Sequence, residues 1–330
     1  MDPATHLKLT LESIADCIHM EETVILSIPI ISQKPIFRHN RWIPDIDNIR
    51  KSTITPGKTA SENRKWIVFV HTLAIVYNLL EEERYMTKRE LYYTHVSLYG
   101  TQKCSDKAIQ MVSNYLQTCR SQLNIFNAPK GFVAGPIHID GDSYSGEPRS
   151  VPLNPSGMRN VINKAKAMII IENQATFHAL NKTRIKNDFL LVTACGYPDL
   201  STRSFCCNLQ RTLGIPAFGL MDCDPDGVQI FLSYKYNPSS RTYYHDYSIQ
   251  TLKWLQLDTP ATLNWRHFTE RDIRLVDNLL AREDVCDCDE IQEVLYSMKQ
   301  SQIKYELQAW ISSEHESLDE IVYRALEEAQ

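Results

Sequence analysis

Three short apolar runs, Ala167–Ile171, Phe189–Val192 and Ile215–Met221, alternate with segments of helical periodicity in the second half of the chain. Strands that are apolar on both faces must be covered on both faces, and strands separated by helices join in parallel through β-α-β crossovers. The pattern therefore predicts a mainly parallel sheet buried between helices. Ligands of such sheets bind beyond the carboxyl ends of the strands. Two of the three runs end in acids: Glu172 follows the first, and Asp222-Cys223-Asp224-Pro225-Asp226-Gly227 follows the third. Alternate residues of an extended segment point the same way, so Asp222, Asp224 and Asp226 can converge with Glu172. Crowded carboxylates raise one another's pKa unless a cation neutralises them, and a hard ion such as Mg²⁺ is their natural partner. The structural alternative is that Asp224 caps the next helix, with Pro225 at its first position.

The first half has a different texture. Residues 1–60 carry scattered prolines, polar segments and one apolar stretch, Val24–Ile28, and are expected to form an arm with a short strand. Pro56-Gly57-Lys58-Thr59 imitates part of a P-loop, but Ser52 stands where that motif needs its first glycine. From Ser61, Trp66, Val70, Leu73, Val76 and Leu80 follow helical spacing, and further helices are expected over Lys88–His95, after the cap Thr87, and over Asp106–Leu123. Short strands around Leu123–Phe126, Lys130–Gly135 and Ile137–Ile139 would follow. Three helices and a β-ribbon are the layout of a winged helix-turn-helix, here assigned to residues 61–150. The Gly/Pro/Ser-rich stretch 140–157 places the domain boundary, with 151–330 beyond it. Within the first domain, Arg89 and Tyr93 are four apart and share a helical face. A tyrosine hydroxyl ionises near pH 10, so as a nucleophile it needs a neighbouring cation or base, which Arg89 can supply. Simple packing is the ordinary role of a Tyr-Tyr pair such as Tyr92-Tyr93.

Charge and cysteines set broad limits. The net charge of −5 argues against indiscriminate coating of nucleic acid, yet residues 1–165 hold 19 Lys and Arg against 16 Asp and Glu, while residues 166–330 hold 16 against 24. A mildly basic half beside an acidic one suits a DNA-contacting module joined to a cation-binding one. Nine cysteines without a Cys-x-x-Cys pair point to reduced thiols, and Cys286-Asp287-Cys288 is poor geometry for zinc. No apolar run is long enough to span a membrane and no signal-peptide pattern opens the chain, so an intracellular protein is expected.

Five blocks, in order, resemble the meiotic recombination transesterases of the sporulation-eleven type, relatives of the type IIB topoisomerase (topoisomerase VI) A chain. They are Thr87–Tyr93 with Leu98-Tyr99, Lys130–Gly135, Ile171–Phe177, Gly196–Arg203, and Asp222–Gly227 followed by Tyr234-Lys235-Tyr236. The resemblance runs from about Ser61 to the end of the chain. It implies a winged helix-turn-helix domain followed by a topoisomerase-primase (Toprim) domain. It also implies Tyr93 as nucleophile assisted by Arg89, and Mg²⁺ at Glu172, Asp222 and Asp224. The implied reaction is double-strand cleavage through a 5′-phosphotyrosyl link that initiates meiotic recombination in the nucleus. Cleavage would require double-stranded DNA and a homodimer with composite sites, assisted by accessory meiotic proteins and by a topoisomerase VI B-like subunit. By family, the enzyme class is the ATP-hydrolysing DNA topoisomerases. Three departures stand out. Asn173 and Cys195 replace residues that are commonly basic, and Asp226 replaces an aromatic or His. The rival functions are a topoisomerase VI A-type protein coupled to an ATPase, a non-catalytic DNA-binding or scaffolding protein, and a hydrolytic Toprim nuclease.

Overall fold

The computed structural model describes residues 2–31, 35–43, 45, 49–236, 247–257, 265–311 and 317–329. The chain divides into two compact units. Unit 1 comprises residues 1–36, 43–128 and 239–246; unit 2 comprises 37–42, 129–238 and 247–330.

Unit 1 is built on helices. Helix α1, Pro3–His19, starts at Asp2, whose side chain accepts the Thr5 N–H. It is followed by an antiparallel ribbon of β1, Leu26–Ile31, and β2, Ile49–Ile54. The long helix α2, Ala60–Glu81, opens with a reciprocal Thr59/Glu62 capping box. Helix α3, Lys88–Thr94, repeats that device with Thr87 and Glu90, and α4 spans Gln102–Tyr115. Leu7 and Ile14 of α1 share one core with Trp66, Phe69, Leu73 and Val76 of α2, Leu91 of α3, and Ile109 and Val112 of α4. The segment expected as a loose arm therefore contributes a packed helix. Pro44 and residues 46–48 of that segment lie outside the described residues.

Unit 2 is organised by a six-stranded sheet. Its strands are β3, Phe132–Ala134; β4, Arg149–Ser150; β5, Ala167–Ile171; β6, Phe189–Thr193; β7, Ala217–Leu220; and β8, Lys253–Trp254, in the spatial order β4-β3-β6-β5-β7-β8. The pairs β5–β6, β5–β7 and β7–β8 are parallel, whereas β3 and β4 run antiparallel at one edge. Mixed α/β architecture with a mainly parallel sheet is what the apolar runs predict. Side chains along β5 and β6 alternate between two cores. Met168, Ile170, Leu190 and Val192 face one, and Ala167, Ile169, Ile171 and Leu191 the other. Helices α5, Gln174–Asn181; α6, Leu200–Leu213; α7, Pro225–Lys235; α8, Glu270–Leu280; α9, Asp289–Ser301; and α10, Leu318–Glu328 are the longer helices of the unit.

Phe132–Ala134, expected in a winged-helix ribbon, instead extends the large sheet by pairing with β6. Ile125-Phe126 pairs in parallel with Met86-Thr87 inside unit 1. The two units accordingly part at residues 128 and 129, before the Gly/Pro/Ser-rich stretch chosen from composition. Among the described residues no helix is long and apolar enough to cross a membrane.

Burial separates two substitutions in α1. Leu7 is fully buried and Ile18 is 63% exposed. Leu7→Ala should destabilise unit 1 by about 2–5 kcal/mol, while Ile18→Ala should stay within about 0.5 kcal/mol. Chemical denaturation measures both, and equal midpoints would remove α1 from the core.

Candidate active site

Strand register gathers the acids. Ile171 pairs with both Thr193 and Leu220, so the carboxyl ends of the three central strands are level. Glu172 follows β5 directly, and its N–H donates to the Leu220 carbonyl at 3.0 Å. Glu172 Oε2 accepts the Asp222 N–H at 2.8 Å, and Asp222 Oδ1 accepts the Leu307 N–H at 2.7 Å. Leu307 is delivered by the segment after Ile303-Lys304, which bridges to the acid loop through Cys223 and Tyr305. Asp224 is the N-cap of α7, with Oδ1 accepting the Gly227 N–H at 2.7 Å. The helix cap expected of Asp224 is therefore present. Gly227 has no room for a side chain, because a Cβ there would lie 2.3 Å from the Asp222 carbonyl oxygen and 3.1 Å from Glu172 Oε2.

Burial dominates the electrostatics. It pushes Glu172 up to about 8, reinforced by the neighbouring Asp222 charge. It likewise pushes Asp222 up to about 6, against the stabilising Leu307 N–H. Asp224 is raised by burial too, with the Gly227 hydrogen bond opposing. Asp226 adds its charge to that acting on Glu172 and Asp224, while both of its oxygens are held by the Arg271 guanidinium of α8, at 2.7 and 3.0 Å. Beside it, the buried Asp272 is paired with Lys304 at 2.8 Å. Asn173 caps α5 through the Thr176 N–H at 2.8 Å, and its side chain also hydrogen-bonds Asp222. Cys195 takes a left-handed conformation, φ 54°, as does Gly196, φ 98°. That turn brings the Gly196 N–H onto the Glu172 carbonyl at 2.8 Å.

Among the described residues no three acids, histidines or cysteines are arranged around one ion-sized point. Each of the three acids has one oxygen accepting a backbone N–H, and each keeps further lone pairs as donors. The donor chemistry nonetheless suits a hard divalent cation. All donors are carboxylate oxygens, two are held well above their ordinary pKa by burial and by neighbouring carboxylates, and a glycine stands between Glu172 and α7.

In unit 1, Tyr93 lies on α3 and is 58% exposed. Arg89 Nη2 donates to the Tyr93 hydroxyl at 3.4 Å, and its guanidinium carbon lies 5.7 Å from the ring centre. Tyr92 instead packs against the unit 1 core beside buried Leu91. Helix α3 is anchored by its capping box and by Lys88, which pairs with Asp106 of α4 at 2.8 Å. The sequence pattern picked out Tyr93, Arg89, Glu172, Asp222 and Asp224, but gave no signal for Arg271, Lys304 or the Leu307 N–H. Arg271 and the Leu307 N–H reach the acid loop across 45 and 85 residues, and Lys304 pairs with Asp272 across 32.

Residues 167–323 match the Toprim domain shared by Spo11 and the topoisomerase 6 A chain, and residues 64–125 match the type IIB DNA topoisomerase model. Mouse meiotic recombination protein SPO11 is 32% identical over 265 residues, covering 74% of this chain and 67% of the mouse protein. Fission yeast meiotic recombination protein rec12 is 31% identical over 295 residues, covering 82% and 81%. The DNA topoisomerase 6 A chain of Arabidopsis thaliana is 29% identical over 301 residues, covering 85% and 70%. Fold and site define a Toprim protein of the type IIB topoisomerase class. The chain belongs to the family that unites Spo11 with the topoisomerase 6 A chain.

The raised Glu172 pKa has a definite sign. The folded protein binds this proton up to about 8, the unfolded chain only up to 4.5, so the contribution is complete below the lower value and is lost as pH rises towards the upper one. In chelator, the melting temperature should therefore fall between pH 5.5 and pH 8, and Glu172→Gln should flatten that fall. Mg²⁺ at pH 8 should raise the melting temperature of the unsubstituted protein more than that of the variant. Parallel pH profiles for the two proteins in chelator would refute the electrostatic account.

Proposed function

We propose that this protein makes DNA double-strand breaks that initiate meiotic recombination, by a topoisomerase-like transesterification with Tyr93 as the nucleophile. The observation that carries this assignment is the Tyr93 hydroxyl, exposed and hydrogen-bonded by Arg89 on a helix capped at its start. Names of relatives supply the biological setting, being meiotic recombination proteins in mouse and fission yeast.

In the proposed step the Tyr93 oxygen attacks the phosphorus of a DNA phosphodiester. A tyrosyl O–P bond forms as the bond from phosphorus to the 3′ oxygen breaks. The phenolic proton is released and the departing 3′ oxygen takes one up, so the products are a 5′-phosphotyrosyl link and a 3′-hydroxyl. No water is consumed. Arg89 stabilises the phenolate as it forms and lies close enough to Tyr93 to hold the scissile phosphate. Glu172, Asp222 and Asp224 would hold Mg²⁺, which supplies positive charge opposite the developing charge on phosphoryl and leaving oxygens. Nucleophile and acids belong to different units, and a homodimer with composite sites would present two tyrosines to the two strands of double-stranded DNA. ATP hydrolysis is assigned to a topoisomerase VI B-type partner protein and not to this chain. Accessory meiotic proteins and a nuclear location complete the proposal.

A second function, as the A-type component of a strand-passing topoisomerase VI, is favoured by the Arabidopsis similarity across 85% of this chain. ATP-dependent relaxation of supercoiled DNA with a B-type partner would distinguish it from break formation alone.

Tyr93→Phe removes the nucleophilic oxygen and should abolish the covalent protein–DNA adduct while leaving the fold and DNA binding intact. Tyr92→Phe keeps its packed ring and should still cleave. Mixing Tyr93→Phe with Glu172→Ala protein should restore one working site per mixed dimer and yield nicks. Labelled adducts mapped by peptide sequencing provide the measurement. An adduct from Tyr93→Phe would eliminate the nucleophile, and inactive but demonstrable mixed dimers would eliminate the composite site.

A further inference from the structure

DNA is a polyanion, and the strand ends it must approach gather Glu172, Asp222, Asp224 and Asp226, with Asp272 buried beside them. Positions 173 and 195 beside these acids carry no charge. Asn173 is occupied as a helix cap and Asp222 partner, and the Cys195 thiol donates to the Lys130 carbonyl at 3.7 Å. Two cations pair with these acids. Lys304 is sunk against Asp272, with 22% of its side chain exposed. Arg271 is different: 66% of its side chain is exposed, and its fork grips Asp226, itself 31% exposed.

We infer that Arg271 is a DNA-phosphate ligand at the rim of this site and that Asp226 occupies it until DNA arrives. A guanidinium fork matches two phosphate oxygens as well as two carboxylate oxygens, so phosphate can replace Asp226 without rebuilding the geometry. Solvent-exposed ion pairs contribute little to stability, so the exchange carries a small penalty. Asp226 therefore acts as an internal competitor for Arg271. Arg271 also lies within 4.0 Å of Asp272, which keeps the guanidinium beside these acids when Asp226 is displaced.

This inference rests on the DNA-cleaving function proposed above, and its signature is one of sign. Binding of the full chain to a short labelled duplex in Mg²⁺ is measured across a salt series. Arg271→Ala should weaken binding roughly tenfold and lower the slope of log affinity against log salt by about one phosphate contact. Asp226→Asn should tighten binding several-fold, because Arg271 loses its competitor. Arg271→Lys should fall between Arg271→Ala and the unsubstituted protein, and it keeps the comparison available if the alanine variant does not fold. A purely structural ion pair would make the Arg271 and Asp226 substitutions act in the same direction, or leave affinity and slope unchanged; either outcome overturns the inference. Failure of the unsubstituted protein to bind duplex or form an adduct would instead overturn the DNA-cleaving function. Binding and adduct formation with same-sign variants would overturn the role of Arg271 alone.

Discussion

The hydrogen bond from the Asp222 N–H to Glu172 Oε2, 2.8 Å long, ties together the ends of two strands that are 50 residues apart in the chain. It forms because β5 and β7 are in register through Ile171 and Leu220. That register in turn is held by apolar side chains alternating between two cores, which a one-residue slip would send to the wrong faces. Gly227 allows α7 to begin directly beneath Glu172, where a methyl group would strike the Asp222 backbone. The position of the acids is thus a consequence of sheet packing. Helix capping by Asp224 and the Leu307 N–H on Asp222 then hold one oxygen of each carboxylate.

Holding these acids close has an electrostatic consequence that the surroundings only partly relieve. Backbone N–H groups from Asp222, Leu307 and Gly227 lower the acids' pKa values, but burial and mutual repulsion outweigh them at Glu172 and Asp222. The fixed cations sit to one side, on Asp226 and Asp272. A cluster of this kind favours a mobile cation over a built-in lysine, since a resident ammonium would neutralise the acids permanently and leave less field for phosphate.

Much of this was legible in the residues because it depends on local rules. Apolar runs marked β5, β6 and β7, acids at two of their ends marked the candidate site, and Thr87 with Glu90 marked the start of α3. The helix α1 was legible in part: Asp2 before Pro3 is an N-terminal signal, and Leu7, Leu11, Ile14 and Ile18 follow helical spacing. Scattered prolines farther along outweigh that signal. Phe132–Ala134 was readable as a strand but not as a partner of β6, because antiparallel pairing over about sixty residues leaves no local trace. Asp226 illustrates the same limit. Its spacing suits a fourth acid of the cluster, but its pairing with Arg271, 45 residues on, leaves no trace in local sequence.

The division of chemistry between units carries its own logic. Tyr93 and Arg89 rest on a helix whose cap, ion pair and core belong to unit 1, whereas Glu172, Asp222 and Asp224 are held by a sheet whose core belongs to unit 2. Neither core by itself determines the distance between the tyrosine hydroxyl and the acids. Under the proposed function, a composite site in a homodimer would leave cleavage dependent on assembly. Assembly on DNA would then be what completes the site. Arg89, itself exposed, orients the Tyr93 hydroxyl from the same helix.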